Sequence, residues 1–189
     1  MTQTERAPVT HFDTIEALEA FLEETATMPM QEPGLYELEH SLQCAVELEA
    51  AAPTDIELQV AGLVHDVCHG QCHIRIHDAV GGEAVRQVLG DRVADLVKLH
   101  VVAKRYLVTK QQDYAGILSP ISVETLALQG GPLTADEVAA FEANPLAEDA
   151  ILLRKADDAA KTPGRVTPGL DYWRPRLRQV AAQVAAMQA

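Results

Sequence analysis

Hydrophobic positions along most of the chain recur every three or four residues, which is the spacing of amphipathic helices. Between residues 55 and 69, for example, Ile56, Val60, Leu63 and Val67 fall on one helical face. Runs in which apolar and polar residues alternate, as strands require, are few. The pattern therefore predicts an all-α fold.

Local signals predict where these helices begin and end. Two prolines and a glycine make a loop of residues 28–35, and Gly90 separates a helix that begins near His77 from one that begins at Asp91. Residues 1–11 are polar, and we expect them to be frayed. The chain contains no long linker, which predicts a single helical domain over residues 1–189. Three pairs with capping-box spacing predict helix starts: Asp13–Glu16, Thr54–Glu57 and Thr134–Glu137.

Composition narrows the class of protein and its partners. Hydrophobic residues make up 48% of the chain but aromatic residues only 4%, so the core is expected to be Ala, Leu and Val. A net charge of -13 argues against nucleic acid or an anionic membrane as partner, although not against a small anionic substrate. No signal peptide or apolar run of about 18 residues is present. Three cysteines are too few for a disulfide framework, so reduced thiols and a cytoplasmic location are expected.

The chemistry concentrates in histidine and aspartate residues that are far apart in sequence and fall mostly on different predicted helices. Four imidazoles and two carboxylates suit a pair of first-row metals such as iron or manganese better than one structural zinc. An aspartate directly after a histidine can bridge two metals about 3.5–4 Å apart. The candidate ligands are His40, His65, Asp66, His77, His100 and Asp157.

Each of these residues also has a simpler interpretation. A single histidine such as His100 on an apolar helix is often a hydrogen-bonded core residue, and adjacent aspartates at 157–158 often form a solvated face. The histidines between residues 65 and 77 recur every fourth position, as on one long helix or in an HxxxH zinc pair, but Gly70 argues against a continuous helix. The CHGQCH run suggests a zinc knuckle that lacks a second Cys/His pair nearby.

Taken together, the motifs HSLQCA, HDVCH, H-x-x-x-G-x-E-A, LHVVAKRYL, LSPISVETLALQGGP and LRKADDAAK resemble the HD-domain superfamily. More narrowly, the chain resembles its phosphonate-cleaving, mixed-valence diiron oxygenases over roughly residues 30–162. Dinuclear HD-domain phosphodiesterases share the order of ligands. AKRYL with LSPIS…LQGG favours the oxygenase branch.

The resemblance implies a helical bundle whose core holds two iron ions, Fe(II) and Fe(III), on the six candidate ligands, with O2 as co-substrate. It implies catalytic roles for Asp66, which would bridge the metals, and for Lys104. Lys104 lies four residues after His100, and Arg154 three before Asp157, so each cation falls on the helical face of a candidate ligand. The alternative is that both are ordinary surface cations. The implied substrate-binding residues are His69, Lys104, Ser122, Arg154 and Glu32.

The implied reaction is O2-dependent cleavage of the C–P bond of a 1-hydroxy-2-(amino or trimethylammonio)ethylphosphonate, giving phosphate and glycine or glycine betaine. Family members carry a tyrosine and, three residues later, a glutamate before the first ligand. Here Glu32 aligns only with one extra residue, and the tyrosine is missing. The missing side chain leaves room for three methyl groups, which favours the trimethylated substrate. Tyr36, Tyr106 and Trp173 are candidates for contact with its quaternary ammonium.

Two other classes of function fit part of the pattern. A metal-dependent phosphohydrolase of the HD superfamily would activate water against a small phosphoester or nucleotide and would need no O2. A non-catalytic HD-like module would bind a phosphorylated effector or a partner protein, but a complete ligand set argues against it.

Overall fold

A computed structural model describes residues 11–188, and all regular secondary structure in that range is helical apart from one isolated β-bridge between Pro29 and Tyr36. The predicted all-α fold is confirmed. All but the last residue of the segment expected to fray lie outside the described residues. No helix within 11–188 is long and apolar enough to cross a membrane. The helices are α1 (Ile15–Thr25), α2 (Glu37–Ala51), α3 (Ile56–Val64), α4 (His77–Lys110), a 3-10 turn (Tyr114–Gly116), α5 (Pro120–Leu128), α6 (Ala135–Glu142), α7 (Ala147–Ala159) and α8 (Leu170–Gln188).

Helices α2, α3, α4 and α7 form the centre of the bundle, with α2 against α3 and α7, and α4 against α3 and α7. Helix α8 packs on α4 and α3, and α1 packs on α8 and α2. The buried residues are mainly Ala, Leu and Val, as the composition predicts; Leu48, Leu63, Leu96 and Leu153 are fully buried. The four central helices therefore present both apolar and ligand-type side chains to one interior.

The predicted helix break at Gly90 is present as a kink inside α4, where Gly90 has φ 81° and ψ 176°. A side chain at this left-handed φ would be strained. Arg92, just after the kink, bonds to Asp55 and Asp149 and so ties the second half of α4 to the starts of α3 and α7. The kink folds the two halves of α4 back on each other, and Gly82 lies so close to the second half that a Cβ there would be 2.6 Å from the carbonyl oxygen of Ala94.

Two predicted helix starts are wrong by one residue. Helix α1 is capped by Thr14 rather than Asp13, and α3 by Asp55 rather than Thr54. The Asp55 carboxylate also binds Arg92, so a distant contact favours it as the cap.

The third predicted capping box, Thr134–Glu137, is confirmed at the start of α6. Helix α5 is followed by two glycines, Gly130 and Gly131, which both have positive φ. Local sequence rules therefore place these ends correctly where no tertiary contact competes.

Candidate active site

The six predicted ligands come together in the interior of the bundle. His40 lies near the start of α2, His65 caps α3, Asp66 follows in a turn, His77 begins α4, His100 lies beyond the Gly90 kink, and Asp157 lies near the end of α7. The four imidazoles are at most 4% exposed, and the two carboxylates 11% and 6%. The structure thus collects in one buried cluster side chains that are up to 117 residues apart in sequence (157 − 40).

Asp66 lies between two pairs of histidines. Its Oδ2 is 3.7 Å from His40 Nε2 and 3.5 Å from His65 Nε2. Its Oδ1 is 3.3 Å from His77 Nε2 and 3.6 Å from His100 Nε2. The cluster therefore consists of two groups of three potential ligands that share one carboxylate, each compact enough to hold a metal ion.

The orientation of the four imidazoles suits metal binding. In each ring Nδ1 faces a backbone carbonyl, so Nδ1 carries the proton and donates it, and Nε2 presents a lone pair to the centre. Lone pairs face each other in both pairs, at 3.2 Å for His40–His65 and 3.1 Å for His77–His100, an arrangement that a cation between them would stabilise. The carbonyls belong to Ala160 for His40, Gly62 for His65, Ile74 for His77 and Val97 for His100.

Electrostatics keep the two carboxylate ligands ionised. Burial alone would raise the pKa of Asp66, but the surrounding imidazoles, above all those of His65 and His77, outweigh it and hold the pKa well below its usual value. Burial would also raise the pKa of Asp157, and the charge of Arg154 outweighs it. Burial lowers the pKa of His65 and, further, that of His100. At His40 and His77 burial also acts to lower the pKa, but Asp157 and Asp66 respectively outweigh it and raise the pKa. The ionised carboxylates are ready ligands, and metal binding would take all four imidazoles in their neutral form.

Of the two adjacent aspartates on α7, Asp157 faces the cluster. Its Oδ1 is 3.4 Å from His40 Nε2, and its Oδ2 forms an ion pair with Arg154 Nη1 at 2.7 Å. Asp158 instead pairs with Arg154 and Tyr114. Arg154 therefore orients both carboxylates, in addition to its predicted place beside the metal cluster.

A cavity of about 40 Å³, open to solvent on one side, lies directly against the cluster. Its wall is mainly polar, with Val101 of α4 and Ile121 of α5 among the apolar side chains that contribute to it. All five predicted substrate-binding residues contribute to it: His69, Lys104, Ser122, Arg154 and Glu32.

Lys104 is a buried cation in this wall. Its side chain is 3% exposed, and its ammonium donates a hydrogen bond to Thr125 Oγ1 at 3.1 Å. Burial, followed by the charge of Arg154, lowers the pKa of Lys104 to about 7. An anion in the cavity would supply the negative charge that this ammonium needs.

Lys161 is a cation that the sequence reasoning missed. Its Nζ donates to Ser122 Oγ at 2.9 Å and lies 3.3 Å from Asp157 Oδ1. The available signal was its position four residues after Asp157, the spacing already noted for Lys104 and His100. With Lys104 and Arg154 it makes three cations around one side of the cavity.

Glu37, also missed, holds the predicted residue His69. Glu37 Oε1 accepts a hydrogen bond from His69 Nδ1 at 2.7 Å. Burial lowers the pKa of His69, but this hydrogen bond and the charge of Asp66 outweigh it and raise the pKa to about 9. His69 is therefore a further positive group at the cavity.

The mouth of the cavity includes Met30 and the half-buried Glu32, whose Oε1 accepts from Ser119 Oγ at 3.2 Å. Among residues 11–188 no Phe, Tyr or Trp lines the cavity. The three aromatic candidates for ammonium contact lie elsewhere: Tyr36 on the surface, Tyr106 against Glu142 and Phe141, and Trp173 on α8, buried in the core.

The simpler interpretations of the histidine run are not supported. Residues 65–76 form a series of turns with Gly70 at φ 71°, and not one long helix. The groups of three or more potential metal ligands found within residues 11–188 are the two that share Asp66, and neither includes a cysteine. All three cysteines are free thiols, as expected.

The fold and the site together define a class, which is an all-helical protein with a buried His/Asp cluster able to bind metal. No family model matches the chain. Two relatives are each 37% identical to it. One is the (1-hydroxy-2-(trimethylamino)ethyl)phosphonate dioxygenase (glycine-betaine-forming) of Leisingera caerulea, which matches over 145 residues, 71% of this chain and 72% of the relative.

The other is the hydroxymethylphosphonate dioxygenase of Gimesia maris, which matches over 148 residues, 72% of this chain and 73% of the relative. At this identity and coverage the chain belongs to the HD-domain oxygenases, the family of these phosphonate dioxygenases. It is therefore a metal-dependent oxygenase.

Proposed function

We propose that this oxygenase uses a mixed-valence Fe(II)/Fe(III) pair and O2 to cleave the C–P bond of a small 1-hydroxyphosphonate. The preferred substrate would be 1-hydroxy-2-(trimethylammonio)ethylphosphonate, giving glycine betaine and phosphate, with the primary-amine analogue giving glycine. One phosphonate and one O2 give one carboxylate, one phosphate and one proton, so the reaction needs no external reductant. We propose the cytoplasm as its location, where free thiols stay reduced.

The observation that carries this proposal is the sharing of Asp66 between two histidine pairs. His40, His65 and Asp157 would hold one iron, and His77 and His100 the other. A mixed nitrogen and oxygen donor set with a bridging carboxylate suits iron. The iron pair would supply the redox capacity for the reaction with O2, which side chains cannot supply.

The cations of the cavity would bind the phosphonate. A phosphonate dianion needs several N–H and O–H donors, and Lys104 and Lys161 lie on the wall with the hydroxyl of Ser122. Arg154, whose donors already serve Asp157 and Asp158, would contribute mainly charge.

This placement has consequences for the reacting carbon. An anion held by Lys104 and Ser122 lies beside the cluster, so its carbon and hydroxyl groups would face Asp66. Holding these groups in place lowers the entropic part of the activation barrier. The buried wall would also exclude bulk water from the reacting bond.

The mouth of the cavity would contact the organic end of the substrate. Glu32 supplies a carboxylate and Met30 a thioether, and neither demands a hydrogen-bond donor from the ligand. A trimethylammonium group would be attracted by the charge of Glu32 without needing an N–H. One relative is named for a trimethylamino phosphonate and the other for hydroxymethylphosphonate. The two named substrates share the phosphonate group and differ in the organic group, as expected if the mouth of the cavity contacts the organic group.

The proposal is tested by measuring phosphate release from both hydroxyphosphonates with iron-loaded, partly reduced protein, in the presence and absence of O2. We expect phosphate only with O2, in equal amounts with glycine betaine or glycine.

Oxygen-independent phosphate release from a panel of phosphoesters, with no reaction of either phosphonate, would support the HD-superfamily phosphohydrolase instead. Retained function after replacement of both His40 and His77 would point to a non-catalytic module.

A further inference from the structure

The pairing of Glu37 with His69 has no part in the proposed metal site, yet both side chains are only 10% exposed. Glu37 Oε1 accepts from His69 Nδ1 at 2.7 Å, while no donor within residues 11–188 reaches the buried Oε2. A carboxylate that is buried with one oxygen unpaired costs stability. Such a cost is typical of a residue kept for function.

The contact fixes the direction of the imidazole. Because Nδ1 is bound to Glu37, Nε2 is the ring nitrogen of His69 that remains for a molecule in the cavity, which His69 lines. The turn that carries His69 continues into Gly70, which has a positive φ of 71° and lies next to the Glu37 carboxylate. The first residue of α2 thus determines how a residue 32 positions later is presented to the ligand.

Glu37 is also joined to the mouth of the cavity. Its backbone N–H donates to Met28 O at 2.9 Å, and this bond closes the loop that carries Met30 and Glu32. Because that bond belongs to the backbone, replacing the side chain leaves it in place. The role of the carboxylate can therefore be tested separately from the loop.

We infer that Glu37 is a positioning residue that acts through His69, holding the imidazole so that Nε2 is left to contact the anionic group in the cavity. This inference rests on the proposed binding of a phosphonate there. Glu37 would not touch the substrate. Its effect on phosphonate binding should vanish when His69 is absent.

A double-mutant cycle tests this directly. The variants are Glu37→Ala, His69→Ala and the pair together, with Glu37→Gln as the conservative change. Glu39→Gln is the matched control, since Glu39 lies on the same helix but accepts from Gly164 N instead. The measurement is the affinity of the metal-loaded, anaerobic protein for methylphosphonate by calorimetry, with metal content checked for each variant. Methylphosphonate has no 1-hydroxyl group and tests anion binding without turnover.

We expect Glu37→Ala and His69→Ala each to weaken binding about tenfold, and the double variant to be no weaker than His69→Ala. Glu37→Gln should keep affinity within about threefold, because its amide oxygen still accepts the Nδ1 hydrogen bond. Additive losses in the double variant, an unchanged affinity in His69→Ala, or no methylphosphonate binding by the wild type would overturn the inference. If methylphosphonate binds tightly and the effects of the Glu37 and His69 variants are coupled, but no O2-dependent turnover is found, the role of Glu37 is supported and the proposed function is refuted.

Discussion

Replacing Lys104 with methionine should make the metal-free protein more stable and at the same time weaken its binding of phosphonates. The lysine is 3% exposed and lies near Arg154, so folding brings its ammonium into an unfavourable place. Burial and the neighbouring guanidinium lower the pKa of Lys104 from 10.5 to about 7. Methionine has a similar length and carries no charge.

The size of the effect follows from that pKa difference. A change from 10.5 to about 7 corresponds to about 5 kcal/mol of folding free energy, which is an upper bound. Loss of the hydrogen bond to Thr125 removes about 1 kcal/mol of favourable interaction. Replacement of buried ionic groups by apolar ones commonly stabilises by about 1–4 kcal/mol, and we expect a gain in that range.

The gain should depend on pH in a defined direction. The unfolded chain keeps the Lys104 proton up to about pH 10.5, whereas the folded protein loses it above about pH 7. The destabilisation of the wild type by its buried ammonium is therefore complete below pH 7, and it decreases between pH 7 and pH 10.5. The free energy of unfolding of Lys104→Met should exceed that of the wild type most below pH 7 and only slightly near pH 10.5.

Urea unfolding of chelator-treated protein at about pH 6 and about pH 9.5 measures this difference. Lys110→Met, at an exposed lysine, serves as the control and should show no pH-dependent gain. The reasoning would be refuted if Lys104→Met were less stable than the wild type at about pH 6, or if its gain in stability were equal at the two pH values. The same variant, metal-loaded, should bind methylphosphonate about tenfold to hundredfold more weakly.

Two further predictions concern the metal cluster and the packing around it. Asp66→Asn should lose both metal ions after dialysis, measured by plasma mass spectrometry, while Asp157→Asn should lose mainly one; two ions retained by Asp66→Asn would contradict a bridging role. Gly82→Ala should destabilise by about 1–3 kcal/mol, because the new Cβ would lie 2.6 Å from Ala94 O, whereas Gly116→Ala, with open space around it, should change thermal unfolding little.

The sequence alone was enough to predict the helical class, the break at Gly90, the capping box at Thr134 and the set of side chains that meet in the interior. Helix formation and its interruption by glycine depend on nearby residues, so local rules apply. Metal ligands are restricted to a few residue types, and their ordered recurrence along the chain is therefore informative before any contact is known.

Other features were decided only by tertiary structure. The cap of α3, the contacts of Lys161, the pairing of Glu37 with His69 and the distance of the aromatic residues from the cavity all depend on how helices pack. His40, for example, receives its orienting carbonyl from Ala160, 120 residues away. Hydrogen bonds and ion pairs act over a few ångströms, and spacing along one helix cannot show which side chain of another helix will fill that space.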